Sequence, residues 1–154
     1  MPLALKREPS AIAPETDGSN PFNFPRLVQP VLNRSCVECH NKNPKAPVLT
    51  AAEVGEKHWA RPWHWSQAYA SLQPFAFYFG DGTFTASKTV PGRFGALASP
   101  LYSLLIKGDH HGVKLSPEDL HRLTLWLDCN SDFFGTYEHL EAQVRGESVW
   151  PVLE

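Results

Sequence analysis

Sulfur is scarce in this chain. Its one methionine is Met1, so no thioether inside a folded body is available to ligate a metal. Three cysteines in 154 residues are too few for a disulfide scaffold. No apolar run approaches the roughly 18 residues that a membrane span needs, so no span is expected. An excess of positive charge is also missing. The 14 basic side chains stand against 16 acidic ones, which leaves no basic field for nucleic acid. What remains is an ordinary soluble composition, 42% hydrophobic and 19% charged, at a length that suits one domain with a core.

Residues 1–21 are rich in Pro, Ser, Glu and Ala without periodicity and read as a flexible tail, with the folded domain spanning 22–154. Leu27, Val28, Val31 and Leu32 have helical spacing, and Pro30 suits the first position of that helix. Asn41–Thr50, with two prolines, reads as loop. Trp59–Phe79 is an aromatic centre in which Ser66–Leu72 has helical character. Gly80–Gly95 holds turn pairs and β-prone residues that suit a small hairpin. Ser99-Pro100 opens a helix carrying Leu101, Leu104 and Leu105, which Gly108 ends. The clearest helix comes last: Ser116 is its N-cap, Pro117 its first residue, and Asp119 the acidic member of a capping box. Leu120, Leu123 and Leu127 then form one stripe, widened by Trp126. The fold class expected is mostly α, with long loops.

One short string dictates its own chemistry. Cys36-Val37-Glu38-Cys39-His40 is a Cys-x-x-Cys-His run, the attachment signature of haem c. Its two thiols can add across the haem vinyl groups, and His40 can then serve as axial ligand to the iron. Such attachment happens outside the cytoplasm. The opening Met1–Arg7 has no apolar stretch of the secretory kind, so a leader is expected to have been removed, or the domain to belong to a longer exported protein. A zinc knuckle is the competing reading, and it would require Cys129 or further histidines to complete four ligands.

Helix, motif, loop and final helix follow in the order of small cytochromes c, which this chain resembles. That resemblance implies a single-haem domain whose second iron ligand lies on the loop before the last helix. With methionine excluded, that loop offers Asp109-His110-His111-Gly112. His110 is the preferred ligand, since it lies further from the inward-packing Val113–Leu115, and His111 is the alternative. A five-coordinate iron with both histidines solvated is the duller possibility. His58 and His64, among tryptophans, could also reach the iron, but such histidines more often hydrogen-bond within an aromatic shell. His121 and His139 read as solvated, and Cys129 as a small buried thiol. Arg93 is a candidate to clamp a haem propionate, with an ordinary surface arginine as the equal alternative. Asp128 and Asn130 read as helix-capping residues, with a calcium site as the alternative.

Three stretches carry a narrower likeness. They are Leu27–Leu32 leading into Cys36–His40, Ser99–Tyr102 leading to Asp109–Leu115, and Leu125–Gly135. Together they resemble the haem domain of hydrazine synthase alpha subunits and related multidomain proteins of planctomycete-type bacteria, over about residues 24–154. In that family a tyrosine just after the motif ligates the iron. Here 41–46 contains none, so His40 is expected to keep its proximal role, a difference that counts against transferring the family's nitrogen chemistry. The expected function is therefore an iron-based electron-transfer module, periplasmic or otherwise extracytoplasmic, serving a redox partner or a neighbouring domain. The runner-up is an enzyme, with a catalytic five-coordinate haem acting on a small nitrogen or oxygen species. The third is a zinc-stabilised interaction domain.

Overall fold

Asn23 starts the first helix. Its side-chain oxygen accepts from Arg26 N at 2.9 Å, and its own backbone is extended. The computed structural model describes residues 3–9, 11, 20–54, 65–76, 91–108 and 110–150, and within them the chain is mostly helical. Helices α1 (Phe24–Leu27) and α2 (Gln29–Ser35) share Val28 as their junction. Gln29 is the first residue of α2 and Pro30 the second, one place later than its spacing implied. A proline costs little there because those first amides have no partner within the helix. The chain breaks at Cys36 and resumes as α3 (Val37–Lys42), so the helix runs into a segment expected as loop.

The middle and last helices follow their capping residues. Ser66 caps α4 (Gln67–Leu72), Ser99 caps α5 (Pro100–Lys107) and Ser116 caps α6 (Pro117–Asp128), each hydroxyl accepting from the amide three residues on. Gly108 ends α5 as expected. A short α7 (Leu140–Val144) lies beside α1. The tail carries one 3-10 turn at Leu3–Lys6. Among the described residues the only β pairing is an isolated bridge between Glu53 and Ser66. Residues 80–90, the body of the expected hairpin, lie outside the described residues.

The core forms where α1, α4 and α6 bring their aromatics together. Phe24 meets Tyr69 and Trp126, each at 5.2 Å between ring centres and edge to face, the geometry that ring quadrupoles favour. Tyr69 also packs on Phe133 at 4.9 Å, and its hydroxyl donates to Ser131 O at 2.9 Å. On α6 the fully buried stripe is Leu123, Trp126 and Leu127, while Leu120 is half-buried. After α6, Asn130 and Ser131 take left-handed backbone, and Trp126 donates through Nε1 to Asp132 O. That reversal lays Phe133 against α1, where Phe24 N donates to Phe133 O at 3.0 Å. Gly135 then passes so close to Phe22 that a Cβ would meet backbone atoms at 2.4 to 2.7 Å. Among the described residues no helix is long and apolar enough to cross a membrane.

Candidate haem site

The break between α2 and α3 sets the two thiols. Cys36 is at once the C-cap of α2 and the N-cap of α3, half-buried, whereas Cys39 is exposed a turn later. Burial pushes the Cys36 thiol up from its ordinary value, and the neighbouring Cys39 adds to this. Both line a cavity of about 390 Å³, within the usual range for small-molecule sites.

His40 follows on α3, and the loop after it fixes the ring. Ala46 N donates to Asn43 O and Lys45 N to Asn43 Oδ1, folding residues 43–46 into a turn. Gln29, almost fully buried on α2, donates through Nε2 to Leu49 O at 3.0 Å and anchors the strand of chain that follows. Pro47 is thereby held with its carbonyl 2.8 Å from His40 Nδ1. A carbonyl can only accept, so Nδ1 carries the proton and donates. In the neutral ring Nε2 is then left with its lone pair, the tautomer and restraint that a metal-ligating histidine requires.

The opposite wall comes from the turn between α5 and α6. Val113 N donates to His110 O at 3.0 Å, and His111 and Gly112 both take positive φ (51° and 76°). Two positive φ values in succession make a type I′ reversal, which favours glycine and tolerates histidine better than most residues. The reversal sets the His110 ring 6.0 Å from that of His40, centre to centre. Two imidazoles sharing one metal ion from opposite sides, with bonds of about 2 Å and ring centres about 1 Å further out, would stand ~6 Å apart. The separation of the pair matches that figure, with the two ring planes inclined at 51°. His111 is exposed, stacked edge-on against His110 at 5.1 Å.

His40 and His110 also line a second cavity, of about 130 Å³, walled by Leu32, Leu49, Leu72, Leu101 and Leu105 among others. The two cavities share Cys36, His40, Pro47 and His110, so they form one cleft, apolar throughout its inner part and carrying its few polar groups at the thiol end. A porphyrin has the same division, a broad apolar ring system carrying a few polar groups.

Other expected residues fall elsewhere. Arg93 is exposed in the turn before residues 96–98 and lines neither cavity. Cys129 caps α6 and is exposed, not buried, because the helix ends at the surface; it too lines neither cavity. Asp128 does not cap its own helix. Its carboxylate accepts from Ala96 N at 2.8 Å and tethers the 3-10 turn Ala96–Ala98. His121 and His139 are exposed as expected, and His58 and His64 lie outside the described residues. From the aromatic centre, Phe75 reaches the cleft, together with Leu72, while Trp65 and Tyr69 belong to the core behind it. The Pro47 carbonyl was not foreseeable from residue types, since every residue has one.

No protein-family model, curated protein or solved structure matches the chain.

Proposed function

We propose that this chain is a cytochrome c-like domain that carries one covalent haem c and transfers electrons. Cys36 and Cys39 would form the thioether bonds, His40 would be the proximal ligand and His110 the distal one. The observation that carries the reading is the pair of imidazoles with ring centres 6.0 Å apart, in a cleft lined by both thiols of the Cys36–His40 motif. The haem, when bound, supplies one-electron iron chemistry. The chain's own contribution is to orient His40 through the Pro47 carbonyl, to hold His110 on a tight reversal, and to keep water from the inner face with leucines.

Two protein ligands favour a carrier over a catalyst, because a catalyst needs an open position on the metal. The resemblance to the hydrazine synthase haem domain bears on fold, and the reading keeps its partner general: a redox protein or a neighbouring domain outside the cytoplasm. A potential below that of a histidine–methionine haem is expected, since the thioether ligand raises it.

The test is optical. Expressed with haem-maturation machinery, the protein should give a low-spin spectrum in which the reduced bands do not shift promptly with carbon monoxide. His110→Ala should convert it to a high-spin form that binds carbon monoxide at once. Prompt binding by the unaltered protein would reject the carrier reading in favour of the enzyme, and absence of haem absorbance would leave the zinc reading.

A further inference from the structure

The two histidines reach the cleft on segments far apart in sequence, and an ion pair joins the helices adjoining those segments, through residues that line neither cavity. Arg34 stands on the last turn of α2, two residues before Cys36. Asp119 stands on the first turn of α6, shortly after the His110 reversal closes at Val113. Their side chains meet at 2.5 Å, across 85 residues of chain. Glu38–Lys42, Glu118–Arg122 and Arg145–Glu147, by contrast, pair within four residues and tie nothing distant together. Asp119 is not behaving as an ordinary capping-box acid. Its amide donates to Ser116 Oγ, while its carboxylate turns to Arg34 and is only 15% exposed.

We infer that the Arg34–Asp119 bridge is a positioning strap that holds the start of α6, into which the distal-ligand turn runs, against α2, which leads into the Cys36–His40 motif, and so sets how readily His110 leaves the iron. The inference rests on the bis-histidine reading above. The core residues of α6, Leu123, Trp126 and Leu127, lie beyond its first turn, so the strap bears on that first turn and not on the fold as a whole. Its effect falls on the stretch between α5 and α6, where residues 110–115 are half-buried or exposed. That stretch runs directly into Ser116, the N-cap of α6, so the chain couples it to the turn that carries Asp119. Arg34 is 53% exposed, so the pair is worth what partly exposed pairs are worth, a population change of roughly two- to five-fold. A strap of that strength leaves His110 the default ligand while permitting its exchange. Salt should loosen it, since at 1 M the screening length falls to about 3 Å.

Carbon monoxide can bind the ferrous haem only after His110 has left, so its rate reads the open fraction directly. In low salt, Arg34→Gln should bind carbon monoxide about two- to five-fold faster than the unaltered protein. Arg34→Lys should restore most of the difference, and Arg145→Gln, which breaks a remote exposed pair, should change nothing. High salt should speed the unaltered protein and leave Arg34→Gln unmoved. Equal rates for Arg34→Gln and the unaltered protein would overturn the strap, as would a change in melting temperature unaccompanied by a change in rate. Neither result touches the haem reading, which fails separately if the unaltered protein binds carbon monoxide promptly or carries no haem.

Discussion

Replacing Gly112 with alanine separates the backbone of the distal turn from its packing. A Cβ built at this position meets nothing within 4 Å, so alanine adds no clash, and the whole cost lies in holding φ at 76°. For an L-residue that region costs roughly 1–2 kcal/mol, offset by about 0.4–1 kcal/mol because alanine also stiffens the unfolded chain. The net is about 1 kcal/mol, or ~5-fold in a two-state population at 25 °C. If the reversal through His111 and Gly112 is what presents His110, that factor appears as an opened distal side, and ferrous carbon monoxide binding should speed by about five-fold. Gly92 provides the control. Its φ is 77°, a Cβ there also meets nothing, and it lies in a turn that lines neither cavity. Gly92→Ala and Gly112→Ala should therefore carry the same backbone strain, while only Gly112→Ala alters ligand exchange. Urea unfolding and flash photolysis of the carbon monoxide complex measure the two quantities. An unchanged rate in Gly112→Ala, or equal changes in both variants, would refute the assignment of the turn as the distal device.

Among the described glycines, Gly135→Ala should be the most damaging substitution, costing about 1–3 kcal/mol in urea unfolding, because its Cβ would drive into the rigid backbone of Phe22. Tyr69→Phe removes the hydroxyl bond to Ser131 O within the core and leaves a buried carbonyl short of a donor; a loss of about 1 kcal/mol is expected, and no loss would show that water replaces the hydroxyl. The Cys36 thiol is raised by burial, so in the folded, haem-free chain its uncharged form is favoured. The stability linked to it is present in full below the unfolded thiol value and declines as pH rises through the higher folded one. Iodoacetamide at about pH 8 should accordingly label Cys36 more slowly than exposed Cys39, with the gap closing on denaturation, as mass spectrometry of the two peptides would report.

Much of the helical frame was legible because its signals are local. Ser66, Ser99 and Ser116 are each followed by helix, Pro100 and Pro117 open theirs, and Gly108 closes α5. Capping depends on a side chain and an amide three residues away, which short-range sequence specifies. The errors came where a local signal met a distant partner. Asp119 suited a capping box, yet its carboxylate goes to Arg34. Asp128 suited a cap, yet serves Ala96. Cys129 suited a buried site, yet the helix carries it to the surface. The aromatic centre divided for the same reason, Tyr69 packing on α1 and α6 while Phe75 turns to the cleft.

The sequence alone determined the candidate chemistry: two thiols and an imidazole in five residues, no methionine to complete an iron site, and two histidines on the loop where a second ligand would fall. Covalent spacing and elimination suffice for that much. Which imidazole faces His40, and what holds each of them, depended on the tertiary structure. The 6.0 Å pairing joins residues 70 apart, the His40 tautomer is set by the carbonyl of Pro47, and His110 is turned inward by two left-handed residues beyond it. Directional contacts of this kind arise only once the core of α1, α4 and α6 has fixed the helices that carry them, so no local pattern records them.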